Sequence, residues 1–325
     1  MKRFLTIVQY VFAAVSLLAI TVYVFRKFPV DQSKLSELRW GYLIFLLFLA
    51  VLDLWLRAFR LRQVASLLKE KITVFKTFQV ASLGDFYSSI TPSRMAGEPS
   101  RWYYLQKFNI PKVKAASIIG IENTIDLVYL ICSISLILYF SQTQYDQLQD
   151  RLSGLIKVFF TVFCIILFLM VFSKKLTYSF LVGVQRKFKK INLAKKYIQA
   201  RAYFLNILNY GKLRFFAYVG ITFLWWFNRF SILWLIALML GYSLLPADVY
   251  IPQFLMFNSL HLTPLPISGG SFEAAFVLIY KSKIPIEDMA VSLFLWRFFT
   301  YYIYMINGAG VLLIRSLKSK QLKDT

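Results

Sequence analysis

The sequence predicts an all-α polytopic membrane protein with six clear transmembrane helices, two re-entrant or broken-helix hairpins and an inverted repeat. Three observations carry that expectation. The 325-residue chain is 58% hydrophobic and only 16% charged, whereas soluble chains carry about a quarter charged residues. Six stretches, 4–25, 40–59, 115–140, 155–172, 215–240 and 289–314, approach the roughly 20 apolar residues that a spanning helix needs. Their apolar runs are continuous, unlike the alternating short strands of a membrane barrel.

Taken in order, the first stretch begins MKRFLTIVQY and ends at Phe25-Arg26-Lys27-Phe28 without a small-residue cleavage site. It therefore reads as an uncleaved first helix and not as a signal peptide. Lys2 and Arg3 hold the N-terminus in the cytoplasm, and Arg57, Arg60, Arg62, Lys69, Lys71 and Lys76 return the chain there. The connection SQTQYDQLQD, 141–150, is acidic and polar and belongs outside. The tail, with Arg315, Lys318, Lys320 and Lys323, is inside again.

The formal net charge of +23 is concentrated on such flanks. Residues 174–214 contain many Lys and Arg and no acid. Leu181, Val184, Phe188, Ile191, Ile198, Ala202 and Leu205 recur there at helical spacing, while Lys187, Lys189, Lys190 and Arg201 fall mainly on other faces. This is the pattern of a basic amphipathic helix anchored on anionic headgroups. Nucleic-acid binding is not expected, because no soluble stretch is long enough to build a basic domain. Cys132 and Cys164 lie in apolar spans, and His261 has no ligand-spaced neighbour, so neither a metal nor a cofactor is expected.

Six spans with both termini inside leave over two short apolar pieces, 74–91 and 251–266 with its continuation to 280. A single crossing by either would invert every charge assignment after it. Each is therefore expected to enter and leave on one side, the first from the cytoplasm and the second from outside. The two regions also match each other. Thr91-Pro92 answers Thr263-Pro264, Gly97-Glu98 answers Gly269, Gly270 and Glu273, and Ile110-Pro111 answers Ile284-Pro285, at offsets of 172, 175 and 174. Ala116 and Ala290 then open long spans of opposite direction. One integral membrane domain, 1–325, is expected, with repeat units at roughly 40–140 and 215–314 joined by the basic segment 174–214. Inverted units interrupted by Pro and Gly are a transporter layout, and broken helices are tolerated where they line a protein-enclosed cavity.

Ionisable residues inside the spans point to that cavity. Glu122 and Asp126 share a helix face, Arg229 and Arg297 lie within later spans, and Asp53 lies within the second. Intramembrane charges are expensive and are usually functional or paired. One reading pairs Glu122 or Asp126 with Arg297, and Asp53 with Arg57 one turn on. The other has Arg297 and Arg94 hold an anionic lipid headgroup, with Glu98 and Glu273 orienting them or taking an amine. The planar guanidinium fork suits a phosphate. Arg101 is expected to anchor at the headgroups.

The motifs PSRMAGE (92–98), ENTID (122–126), PISGGSFE (266–273) and the intramembrane Arg297 together resemble the transmembrane domain of lysylphosphatidylglycerol synthase/flippase proteins. The resemblance runs from the first span to the last. It implies lipid translocation, with Arg94, Glu98, Glu122, Asp126, Gly269, Gly270, Glu273 and Arg297 as lipid-binding residues. Ser271-Phe272 stands where the family often has an extra Gly before the Glu, which leaves local geometry open. Bifunctional members carry a soluble aminoacyl-transferase domain after the membrane part, whereas this chain stops at Thr325. It is therefore expected not to be an enzyme. The expected partners are anionic or aminoacylated phospholipids, with a lipid-synthesis enzyme and a second copy of the chain left open. The expected location is a bacterial cytoplasmic membrane. No P-loop is present. An accessory lipid-binding subunit and a headgroup transferase are the competing readings, and the transferase lacks a paired acid motif.

Overall fold

The computed structural model describes residues 39–91, 95–140, 179, 182, 198, 202, 212–262 and 272–324. Nine α-helices account for most of them: α1 (Gly41–Leu67), α2 (Val74–Ser89), α3 (Gly97–Lys107), α4 (Lys112–Phe140), α5 (Lys212–Met239), α6 (Pro246–Leu262), α7 (Phe272–Tyr280), α8 (Ile286–Arg297) and α9 (Ile303–Asp324). A π-helical turn, Phe298–Tyr302, joins α8 to α9. There is no strand among the described residues, and the helical membrane class is established. Three described helices, Gly41–Leu67, Leu213–Met239 and Glu287–Leu317, are long and apolar enough to cross a membrane. Of the other expected spans, 115–140 falls in α4, while 4–25 and 155–172 lie outside the described residues, as do Lys187, Lys189, Lys190 and Arg201 of the basic segment.

The order of elements repeats. A long helix, a short one, a shorter one and a second long one start at 41, 74, 97 and 112, and again at 212, 246, 272 and 286. Those starts are offset by 171, 172, 175 and 174 residues, which tracks the offsets of the sequence anchors. The short helices have 16, 11, 17 and 9 residues. At 1.5 Å per residue none exceeds about 26 Å, short of the roughly 30 Å of hydrocarbon.

The chain divides into two compact units. The larger holds α1 to Arg62, α2, α3, α5 from Gly220, and α6 to α9; the smaller holds the end of α1 and α4. Within the smaller unit, Lys114 on α4 pairs with Glu70 at 2.5 Å, which ties the connection after α1 to that helix.

In the larger unit, α2 starts where the Thr73 hydroxyl accepts from the Lys76 amide, satisfying a donor that the first helical turn leaves unpaired. The helix stops ahead of Pro92, which disfavours helical geometry in the preceding residue. The Thr91 hydroxyl then donates to the Tyr87 carbonyl at 2.7 Å and accepts from the Ala96 amide at 3.2 Å. One side chain thus ties both ends of the first hairpin turn. Glycines bring its walls together: a Cβ on Gly84 would lie 2.4 Å from Arg101 Cγ, and one on Gly97 would lie 2.9 Å from Ser88 Oγ.

The opposite flank of α2 runs antiparallel to the π turn and α9. Tyr301 donates to the Ser89 carbonyl at 2.8 Å, Asn307 to Ser82 Oγ at 2.7 Å, and Arg315 to Gln79 Oε1 at 2.9 Å. Gly308 makes this approach possible, since a Cβ there would sit 2.4 Å from the Ser82 carbonyl oxygen. Small residues let membrane helices come this close. Gly308→Ala is expected to force α2 and α9 apart at a cost of about 1–3 kcal/mol. Gly310→Ala, where nothing lies within 4 Å, should instead raise stability slightly through helix propensity. Thermal unfolding in detergent reads both, and equal effects would remove Gly308 from the packing argument.

The second hairpin closes differently. Tyr280 on α7 donates to the Val249 carbonyl on α6 at 2.9 Å. Trp296 donates through Nε1 to Gln253 Oε1 at 3.2 Å, and Gln253 Nε2 donates to the Phe230 carbonyl at 3.0 Å. These buried amide and indole groups are thereby satisfied, inside an aromatic core of Phe257, Phe272, Phe276 and Trp296. Beyond the end of α5, Tyr242 donates to the Asp288 carboxylate. Burial, and then that hydrogen bond, pushes the Tyr242 hydroxyl above its ordinary range, so it remains a donor at working pH.

Candidate functional site

Arg297 ends α8 one residue before the π turn, and Glu273 is the second residue of α7. Glu273 is the one charge in α7 and Arg297 follows an apolar stretch of α8, Leu293–Trp296, where an unpaired charge would be expensive. Accordingly Arg297 donates to Glu273 Oε1 from Nε at 2.7 Å, and Nη2 lies 2.6 Å from the same oxygen. The side chains are only 11% and 12% exposed. Three ring faces surround the guanidinium, those of Phe272, Trp296 and Tyr301, at 5.0, 5.4 and 5.4 Å. Both bonds converge on one carboxylate oxygen, and Glu273 Oε2 is buried without a hydrogen-bond partner among the described residues. A buried carboxylate oxygen left unsatisfied is a costly arrangement that calls for a physical account.

Tyr301 connects this pair to the other hairpin. Its ring packs on Arg297, and its hydroxyl holds the carbonyl of Ser89, the last residue of α2. The end of α2 and the start of α7 therefore meet at one short stretch, 297–301. They are the two places that sequence repetition singles out.

A second charged cluster lies beside it. Asp53 on α1 is fully buried, accepts from the Tyr304 hydroxyl and lies 3.5 Å from Arg229 Nη1. Arg229 donates to Tyr304 Oη at 2.9 Å and to the Thr300 carbonyl, within the π turn, at 3.2 Å. Widened π turns are frequent at functional sites. Arg57 pairs with Asp85 on α2 and not with Asp53. The expected Asp53–Arg57 pair is thus replaced by two cross-helix pairs, because each buried carboxylate is given its own guanidinium. Arg57, Arg60 and Arg229 also gather around the Trp225 ring at 5.5, 4.4 and 5.8 Å.

The other anticipated residues separate. Glu98 is the second residue of α3 and lies 3.3 Å from Arg101. Glu98 is 48% exposed, whereas Arg101 is buried with its stem over Gly84. Glu122, buried, and Asp126, half-buried, lie on α4 in the smaller unit. The ion-pair partner of Arg297 is Glu273, not either of these acids. Arg94, Gly269 and Gly270 lie outside the described residues. Sequence reasoning passed over Asp85, Tyr301 and Tyr304. Asp85 carried a usable signal, as the one acid in the short apolar piece 74–91.

Compared with known proteins, residues 7–308 match the family model described as Lysylphosphatidylglycerol synthase TM region. A UPF0104 membrane protein from Archaeoglobus fulgidus is 24% identical over 322 residues, covering 94% of this chain and 97% of that protein. No solved structure matches.

Proposed function

This chain belongs to the lysylphosphatidylglycerol synthase TM-region family, and from that premise we propose that it moves a phospholipid between membrane leaflets. The cargo is an anionic or aminoacylated lipid, and its headgroup follows a polar path built by the two hairpins. The observation that carries this reading is the convergence of the α2 end and the α7 start on Arg297–Tyr301.

Arg297 is the phosphate-binding group. Its fork can take two phosphate oxygens in place of the single Glu273 oxygen it now shares. Exchange of carboxylate for phosphate keeps the guanidinium paired throughout, so no step leaves a bare cation in a low-dielectric interior. The Glu273 carboxylate released in this way can accept the ammonium of an aminoacylated headgroup. Transport is downhill, ion-coupled or driven by lipid consumption on the far side, with both termini in the cytoplasm of a bacterial cell.

Reconstitution into liposomes with labelled phosphatidylglycerol, its aminoacylated form and a zwitterionic lipid tests this. Leaflet exchange above that of empty vesicles is expected for at least one of them. None above empty vesicles for any class would sink the transport reading.

A further inference from the structure

The Glu273–Arg297 pair is neutral as a unit and unevenly bonded. Arg297 Nε and Nη2 both reach Oε1, at 2.7 and 2.6 Å, while Oε2 is buried and accepts no hydrogen bond among the described residues. Oε2 is therefore an open basic atom in an aromatic setting, and a proton can settle on it without displacing the guanidinium. Few other charged or titratable groups stand near it. Arg297 comes from α8 and Tyr301 from the π turn, whereas Glu287 and Asp288 are at the opposite end of α8. The acid of α6, Asp248, pairs with Lys283 beyond the far end of α7. Asp53 and Asp85 have Arg229 and Arg57 as their own cations. His261, the one histidine of the chain, follows Phe257 by four residues on α6, and the Phe257 ring packs on Phe272.

Resting on the reading of Arg297 as the phosphate site, we infer that Glu273 binds one proton on Oε2 for each lipid phosphate that Arg297 binds. An anionic lipid without an ammonium then crosses together with a proton. Charge balance decides this. The empty pair sums to zero. A phosphodiester on Arg297 would leave Glu273 an anion with no cation beside it, and a carboxyl buried in that way takes up a proton instead. The proton comes from water on the side that loads the lipid and adds to Oε2, turning the carboxylate into a neutral acid; no other covalent bond forms or breaks. The loaded site, Arg297 with phosphate and Glu273 protonated, again sums to zero. The two events favour each other. A protonated Glu273 holds the guanidinium less tightly, and a phosphate on the guanidinium cancels the charge that keeps Glu273 ionised. Each lipid thus carries one proton in its own direction, and the empty pair returns with none. An aminoacylated headgroup brings its own ammonium to Glu273 and needs no proton. The buried, unsatisfied Oε2 is accounted for as the proton acceptor.

Calorimetric titration of the full chain in detergent with short-chain phosphatidylglycerol, repeated in buffers of different ionisation enthalpy, counts the protons bound. About one proton per phosphatidylglycerol is expected and none for its aminoacylated form, with affinity for the former falling by up to about tenfold per pH unit as pH rises. Glu273→Gln leaves an amide oxygen for Arg297 but no proton acceptor. Its proton uptake should vanish, and its affinity for phosphatidylglycerol should no longer depend on pH. Binding by the parent without proton uptake overturns this inference and leaves the Arg297 site standing, whereas no binding at all overturns both. Uptake that persists in Glu273→Gln, or that disappears in His261→Gln, puts the proton on another group and also overturns it. In liposomes, labelled phosphatidylglycerol should leave the outer leaflet several-fold faster when the interior is alkaline than when the pH is equal across the membrane. Exchange that ignores the gradient overturns the coupling while leaving transport intact.

Discussion

Asp53→Ala is expected to be the most destabilising single change in the larger unit, at about 3–5 kcal/mol. The carboxylate is fully buried between Tyr304 and Arg229. Its removal leaves the Arg229 guanidinium in the interior with a phenol oxygen and the Thr300 carbonyl but without that counter-ion. The harm comes from the abandoned cation more than from the lost attraction. Asp53→Ala combined with Arg229→Met, which removes both charges and keeps apolar volume, should therefore recover much of the loss. Tyr304→Phe should cost less, about 1 kcal/mol, since it deletes hydrogen bonds while leaving the ion pair in place. Tryptophan-fluorescence unfolding in detergent of the parent, these three variants and Arg229→Met alone measures the series. Additive losses in the double variant would show that Asp53 and Arg229 do not act as a pair.

Which of these features the sequence revealed depends on how local their signals are. Pro92 and the paired Thr-Pro anchors marked the end of α2 and the second break, because proline acts on its own neighbours. Arg297 was singled out as a charge within a span and Glu273 as a repeat anchor; one reading had Glu98 and Glu273 orient Arg94 and Arg297, while the other paired Arg297 with Glu122 or Asp126. Choosing among acids requires knowing which helices pack together, and periodicity carries no such information. Asp85 went unnoticed for the same reason, as its value lies in Arg57, 28 residues away. The π turn has no composition of its own: Phe298–Tyr302 reads as ordinary apolar helix. The packing of the Arg101 stem over the bare backbone of Gly84 was likewise invisible, because it joins residues 17 apart on two helices. The mean hydropathy of +0.60 fixes the membrane class, but not how many helices cross.

Arg297→Ala should abolish lipid translocation, reducing leaflet exchange to that of empty vesicles, and should also destabilise the second hairpin. The second effect is a confounding one, because it leaves Glu273 buried with no cation and both of its oxygens unpaired. Stability and transport separate in the double variant Arg297→Ala, Glu273→Ala. Removing both charges eliminates the abandoned anion, so unfolding stability should return towards that of the parent. Transport should not return, because nothing remains to take the phosphate. Arg297→Lys gives an intermediate result, as an ammonium keeps the charge and can still pair with Glu273 but lacks the planar fork that binds two oxygens at once. The expected order of transport is parent, then Lys, then both alanine variants together at background. The expected order of stability instead places the double variant well above the single Arg297→Ala. If transport tracked stability across all four proteins, Arg297 would be a packing residue and the headgroup site would have to lie elsewhere. A stable double variant that moves no lipid is the outcome that assigns Arg297 to the cargo.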